Sequence, residues 1–287
     1  MKIFDTVPFF VRLYEPSLAF LHNYQRAFSN TFKSYRKYHC KNTIEQKEFA
    51  LSEYAIDHIE RVHKEIIPII ERSARAYEEQ YSLVFPISVQ LIVGVYGSNA
   101  YAEREVVPNI TFALEQLPAD EESLSIIVAH ELGHVAHHML TDQLGCDWGE
   151  MMWQDPRISA FQEGAAMYFS KQIVSGLPDF KYFSFDAQKE DGYQKALTLL
   201  PGIARAFLKD LQQQSSTQMV REWFSIRGGE QFEIPRLGYV IGEQFVATEI
   251  ERLGEERALT LWTEPNFLQY MNSWLEEVCE NEFKNRS

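Results

Sequence analysis

The amino-acid sequence predicts an α+β fold that is predominantly helical, and three observations carry that expectation. Two short segments alternate and are rich in β-branched or aromatic residues, Ile87 to Val93 and Asn109 to Glu115. Long stretches on either side repeat their apolar residues at helical spacing. Cap residues, glycines and prolines punctuate those stretches where helices would start and stop.

Residues 9 to 80 read as helical. Ile56, Ile59, Val62, Ile66 and Ile70 mark an amphipathic stripe, which Pro68 is expected to bend or end. The segment Gly94 to Asn99 carries turn residues between the two strand candidates. Two or three antiparallel strands are therefore expected to lead into the next helix. That helix opens at Asp120-Glu121-Glu122-Ser123, which supplies an N-cap and negative charge where the helix dipole favours it. Leu124, Ile127, Val128, Leu132 and Val135 then recur on one side, with Pro118 before the start and Thr141 to Gly145 after the end. Asp155-Pro156 begins another helix as an N-cap followed by proline, and Gly176-Leu177-Pro178 stops it. Further helices are expected over 187 to 214, 217 to 226, 237 to 253 and 264 to 284. The texture of the chain suggests three regions: an N-terminal helical region over 1 to 80, a sheet with its following helices over 81 to 175, and a C-terminal helical region over 176 to 287.

Of the 287 residues, 45% are hydrophobic and 24% charged, an ordinary globular balance. A formal net charge of −14 argues against a nucleic-acid partner, because phosphate recognition needs clustered Lys and Arg. The basic-aromatic run Lys33 to Lys41 is a local exception and reads as a solvated helix face with buried aromatics. Cys40, Cys146 and Cys279 are odd in number and far apart, which suits free thiols in a reducing compartment. Asp5, Pro8 and Arg12 interrupt the N-terminal apolar residues, and no stretch approaches the roughly 18 residues of a membrane span. No membrane partner and a cytoplasmic location are expected.

His130-Glu131-Leu132-Gly133-His134 reads H-E-x-x-H in the middle of the helix that follows Asp120. Histidines four apart on a helix differ by about 40° around its axis, so both imidazoles can reach one metal ion. Glu131 points to the side, where it can hold a water on that metal. A catalytic zinc site usually takes three protein ligands and keeps one position open. His137 and Leu140 stand where the metzincin pattern needs Gly and His, so that ligand set is excluded. His137 is left as a core-lining or solvent-facing side chain, or one near the site.

Glu163 is the preferred third ligand. From His134 to the end of its helix near Leu140 is roughly 9 Å of rise, and from Asp155-Pro156 to Glu163 roughly 11 Å. An antiparallel return would bring Glu163 level with the histidines, and Gly164-Ala165-Ala166 would let the two helices approach closely. Asp142, Asp147, Glu150, Asp155 and Cys146 are weaker substitutes.

His130-Glu131-Leu132-Gly133-His134 with Glu163-Gly164 downstream resembles the gluzincins, the zinc metallopeptidases that include thermolysin. More narrowly, residues 85 to 250 resemble a bacterial family of predicted zinc-dependent proteases known as a domain of unknown function. The resemblance implies a zincin-like core, Zn2+ held by His130, His134 and Glu163, Glu131 as catalytic base, and a peptide or protein substrate. Tyr239, flanked by Gly238 and Gly242, is similar to the downstream tyrosine that stabilises the oxyanion in several gluzincins. The strand Asn109 to Glu115 would be the edge to which an extended peptide adds. One departure stands out: thermolysin-like enzymes carry Asp four residues after the ligand glutamate, and this chain has Met167. A zinc hydrolase of a non-peptide amide, a catalytically silent metal-binding or regulatory protein, and a helical protein with an accidental motif remain as alternatives. Oligomeric state and cleavage specificity are not encoded legibly.

Overall fold

A computed structural model of the chain describes residues 1–103, 105–183 and 190–284, with backbone alone at 190 and 281–284. The chain packs as two compact units, Met1–Ala136 and His137–Ser287, and the division falls inside one helix.

The first unit runs β1 (Lys2–Asp5), α1 (Val7–Leu13), α2 (Leu18–Ala27), α3 (Phe32–Ser34), α4 (Ile44–Ser52), α5 (Ile56–Tyr81), β2 (Ser88–Ile92), β3 (Ala100–Ala102), β4 (Ile110–Ala113) and the start of α6 (Glu121–Gln143). The apolar stripe of α5 turns inward at Ile59, Val62, Ile66, Ile70 and Tyr77. Of the two outcomes expected at Pro68, a bend or a stop, the stop does not occur: α5 runs through it to Tyr81. Pro68 lies on the exposed face, as does Lys64, whose carbonyl loses its helical donor and can meet water instead. Left-handed Ser82 closes the helix, its N–H reaching the Glu78 carbonyl.

The sheet is mixed rather than antiparallel. Its order is β1-β2-β4-β3, with β1 and β4 parallel to β2 and only β3 antiparallel, to β4. Residues 93–109 separate β2 from β4, long enough for the crossover that a parallel pair needs. β4 is therefore interior, with all four residues buried, and cannot be the edge to which a peptide adds. The outer strands are β1 and β3.

The strand expected to reach Glu115 turns at Leu114 into a short 3-10 segment. That turn sends the Glu115 carboxylate back to accept the N–H groups of Gly94 (2.8 Å) and Tyr96 (3.1 Å). The Tyr35 hydroxyl accepts those of Val95 (2.9 Å) and Gly97 (3.0 Å). Phe32 and Tyr35 of the basic-aromatic run are buried, while Lys33, Arg36 and Lys37 face solvent. Burial raises the Glu115 pKa above 4.5, outweighing the hydrogen bonds that lower it. Folded protein thus binds this proton more tightly than the unfolded chain does. The Glu115 contribution is full below 4.5 and is lost as pH climbs through the raised value. Denaturation across that window should show stability declining with pH in the wild type and a flatter profile in Glu115→Gln; equal slopes would contradict this.

The second unit takes the end of α6, then α7 (Pro156–Ile173), α8 (Asp179–Phe183), α9 (Glu190–Thr198), α10 (Leu200–Gln213), α11 (Ser216–Met219), α12 (Leu237–Leu253), α13 (Glu255–Leu259) and α14 (Phe267–Lys284). The start expected at 187 lies outside the described residues. What reads as one helix to 214 is two, because Pro201 in the first turn of α10 supplies no N–H to continue α9. α7 stops at Ile173, before Gly176, with the Val174 N–H on the Ser170 carbonyl.

Among the described residues, α7 and α12 make the most extensive contact between any two elements. A Cβ placed on Gly164 would meet the Gly242 carbonyl at 2.2 Å, and one on Gly242 would lie 1.8 Å from the Ala160 oxygen. The small residues after Glu163 therefore include one that admits α12, a partner the sequence did not suggest. Lys171 of α7 pairs with buried Glu243 of α12 and with Asp179 (2.8 Å). Burial works against the Lys171 charge, but the two facing carboxylates outweigh it and raise its pKa. Among the described residues, no helix is long and apolar enough to cross a membrane.

Candidate metal centre

Asp120 caps α6 by accepting the Ser123 N–H (2.8 Å), and Glu121 and Glu122 occupy the first turn. From Ser123 to His138 every residue is buried except His130 and His134, which are half-buried. Between Ser123 and His138 the helix is thus covered nearly all round, and it opens only at these two histidines. Their rings stand nearly perpendicular (88°) with centroids 4.8 Å apart. The Tyr77 hydroxyl of α5, itself fully buried, donates to the Ala129 carbonyl (2.7 Å) and braces the backbone beside His130. Glu131 is 8% exposed.

On α7, the Asp155 side chain accepts the Arg157 N–H (2.9 Å) and pairs with its guanidinium (2.6 Å), which fixes the start of the helix that carries Glu163. One donor atom each from His130, His134 and Glu163 lie within 4.8 Å of one another. Among the described residues, no other set of His, Cys, Asp and Glu side chains converges in this way. Two imidazole nitrogens and one carboxylate oxygen match the donor set of catalytic zinc sites, three ligands with a position left for water or substrate. The half-buried state of all three side chains fits a centre that must admit a substrate.

Two of the substitutes considered from the sequence are committed elsewhere. Asp142 accepts the Trp148 indole N–H (2.8 Å), and Asp155 is the α7 cap. Cys146 is half-buried and in no disulfide, as are Cys40 and Cys279.

His137 is a core residue. It is fully buried, donates from Nε2 to the Leu259 carbonyl (2.7 Å) and stacks on Trp262 (4.2 Å, 15°). His138 accepts from the Gln162 amide (3.0 Å) through Nε2. Trp262 donates to Thr141 (2.8 Å), whose hydroxyl in turn donates to the His137 carbonyl (2.8 Å), so the end of α6 is strongly tied. None of these bonds is visible as a sequence pattern.

Tyr239 lies in the first turn of α12, half-buried, with the Arg236 guanidinium 5.1 Å from its ring centroid. It precedes Gly242 by about one turn, roughly 4.5 Å of rise. Gly242 touches Gly164, the neighbour of Glu163. The tightest point of the α7–α12 crossing therefore lies beside Glu163 and one turn from Tyr239.

Compared with known proteins, the chain matches no family model, no curated protein and no solved structure.

Proposed function

We propose that this chain is a zinc metallopeptidase of the gluzincin type, with a zincin-like core and a peptide or protein substrate. The single observation that carries the reading is the convergence of His130, His134 and Glu163 donor atoms within 4.8 Å beside Glu131. Bound by those three residues, zinc supplies Lewis acidity and lowers the pKa of a coordinated water toward neutrality.

The remaining chemistry belongs to side chains. Glu131 accepts the proton of the attacking water and passes it to the departing amine, serving as base and then as acid. Its burial keeps bulk water from competing for that proton. Tyr239 donates a hydrogen bond to the carbonyl oxygen as negative charge develops there. Arg236, close to the Tyr239 ring, orients it. Of the two outer strands, β3 follows the antiparallel pairing that an added peptide strand would extend.

Incubation with a mixture of unstructured peptides, read by mass spectrometry, tests the activity. We expect cleavage that a chelator abolishes and added zinc restores; chelator-resistant cleavage, or none, would contradict the reading. Glu163→Ala should weaken zinc binding beyond the roughly 10- to 100-fold cost of removing an outer partner of a metal ligand. A competition titration with a chromogenic chelator measures that directly, and unchanged affinity would remove Glu163 from the ligand set.

A further inference from the structure

We infer that the loop joining α6 to α7 is a recognition surface for a cationic side chain, lysine or arginine, of the substrate polypeptide. The inference rests on the peptidase reading and gives it a substrate class.

Trp148 and Trp153 hold their rings parallel (6°) with centroids 5.8 Å apart. Trp262 stands edge-on to both, at 6.0 Å and 6.1 Å. The Trp148 indole N–H is anchored on Asp142 (2.8 Å) and that of Trp153 on the Trp148 carbonyl (3.4 Å). Yet Trp153 remains 41% exposed and the neighbouring Met152 59%. A fixed aromatic pair left open to water, with exposed apolar residues beside it, is the kind of surface that proteins keep for a partner.

Charge says which partner. Residues 142 to 155 hold Asp142, Asp147, Glu150 and Asp155 and no Lys or Arg. Arg157 answers Asp155 (2.6 Å), whereas Asp142, Asp147 and Glu150 face solvent. The local field is felt by Cys146, whose thiol pKa is raised by burial and then by Asp147 and Asp142. Leu144 of the same loop also lines a groove of about 510 Å³, where Glu255, Glu256 and Glu264 outnumber Arg257. Indole faces attract cations, and surrounding carboxylates reinforce that attraction. Lys and Arg side chains bring both a charge and an apolar stem to lie along the rings.

The position suits a residue close to the bond being cut. His138, whose ring centroid is 5.0 Å from that of Trp148, follows His134 by one turn, roughly 6 Å of rise. Gln162, hydrogen-bonded to His138, adjoins Glu163. The surface thus begins one turn beyond the metal ligands.

The test is a titration of the Glu131→Gln protein with the amidated pentapeptide Ala-Arg-Ala-Arg-Ala and with its glutamate-for-arginine analogue, read by tryptophan fluorescence. We expect saturable binding of the arginine peptide alone, weakened by added salt. Affinity should fall roughly three- to tenfold in Trp153→Ala, the worth of one cation–π contact. A similar loss is expected in the conservative pair Asp147→Asn with Glu150→Gln, which keeps the loop's shape. Equal binding of both peptides, or unchanged affinity in both variants, would overturn the inference. Binding that depends on these residues, with no cleavage by the wild type, would keep the surface and remove the peptidase reading. Cleavage indifferent to arginine and to Trp153→Ala would do the reverse.

Discussion

Replacing Glu131 by Gln should leave zinc bound and lower peptide cleavage by roughly 100- to 10,000-fold, the span usually supplied by a positioned acid–base group. The proposed ligands are His130, His134 and Glu163, so the substitution touches none of them. The amide matches the carboxylate in size and keeps the buried position on α6, so packing is preserved. It cannot take the proton from the attacking water. Parallel measurement of zinc content and peptide turnover separates the two effects. Full zinc with retained turnover would refute the role of Glu131, and loss of zinc would make it a structural partner of the centre rather than its base.

Gly242→Ala should be the most damaging small substitution in the second unit. The added Cβ would fall 1.8 Å from the Ala160 oxygen and 2.7 Å from its carbonyl carbon, both backbone atoms that no rotamer change can move. α7 and α12 must separate, at a cost of about 1–3 kcal/mol or more, as for other overpacked interiors. Because Ala160 and Gly164 flank Glu163 on α7, zinc affinity should fall together with thermal stability. Gly192→Ala in α9 is the control: among the described residues nothing lies within 4 Å of its new Cβ, so it should stabilise by about 0.4–1 kcal/mol through the unfolded chain. Equal melting temperatures for the two variants would show that the crossing is not as tight as its geometry requires.

The cluster of His130, His134 and Glu163 was the most legible part of the sequence, because helical geometry converts spacing into position. Four residues on α6 place two imidazoles together, and matching rises along α6 and α7 pick Glu163 among several nearby carboxylates. The surroundings were less legible because they depend on contacts distant in sequence. β1 is an outer strand whose Lys2, Phe4 and Asp5 are exposed, so no alternating pattern announces it. Without it, β2 and β4 look like a hairpin rather than a parallel pair. Pro68 breaks a helix only where its ring or its missing N–H is costly, and solvent exposure removes much of that cost. His137 shares the sequence neighbourhood of the motif, but the Leu259 carbonyl and Trp262 that claim it lie over 120 residues away. Gly164 could be read as a place of close approach, but not the helix that approaches it.

Everything proposed about chemistry depends on a metal held by His130, His134 and Glu163. Elemental analysis of the protein purified without added metal tests that dependence most directly. One zinc per chain in the wild type, and a clear loss of it in His134→Ala, is the result expected. A folded wild-type protein that carries no stoichiometric metal and binds none on titration would contradict the account.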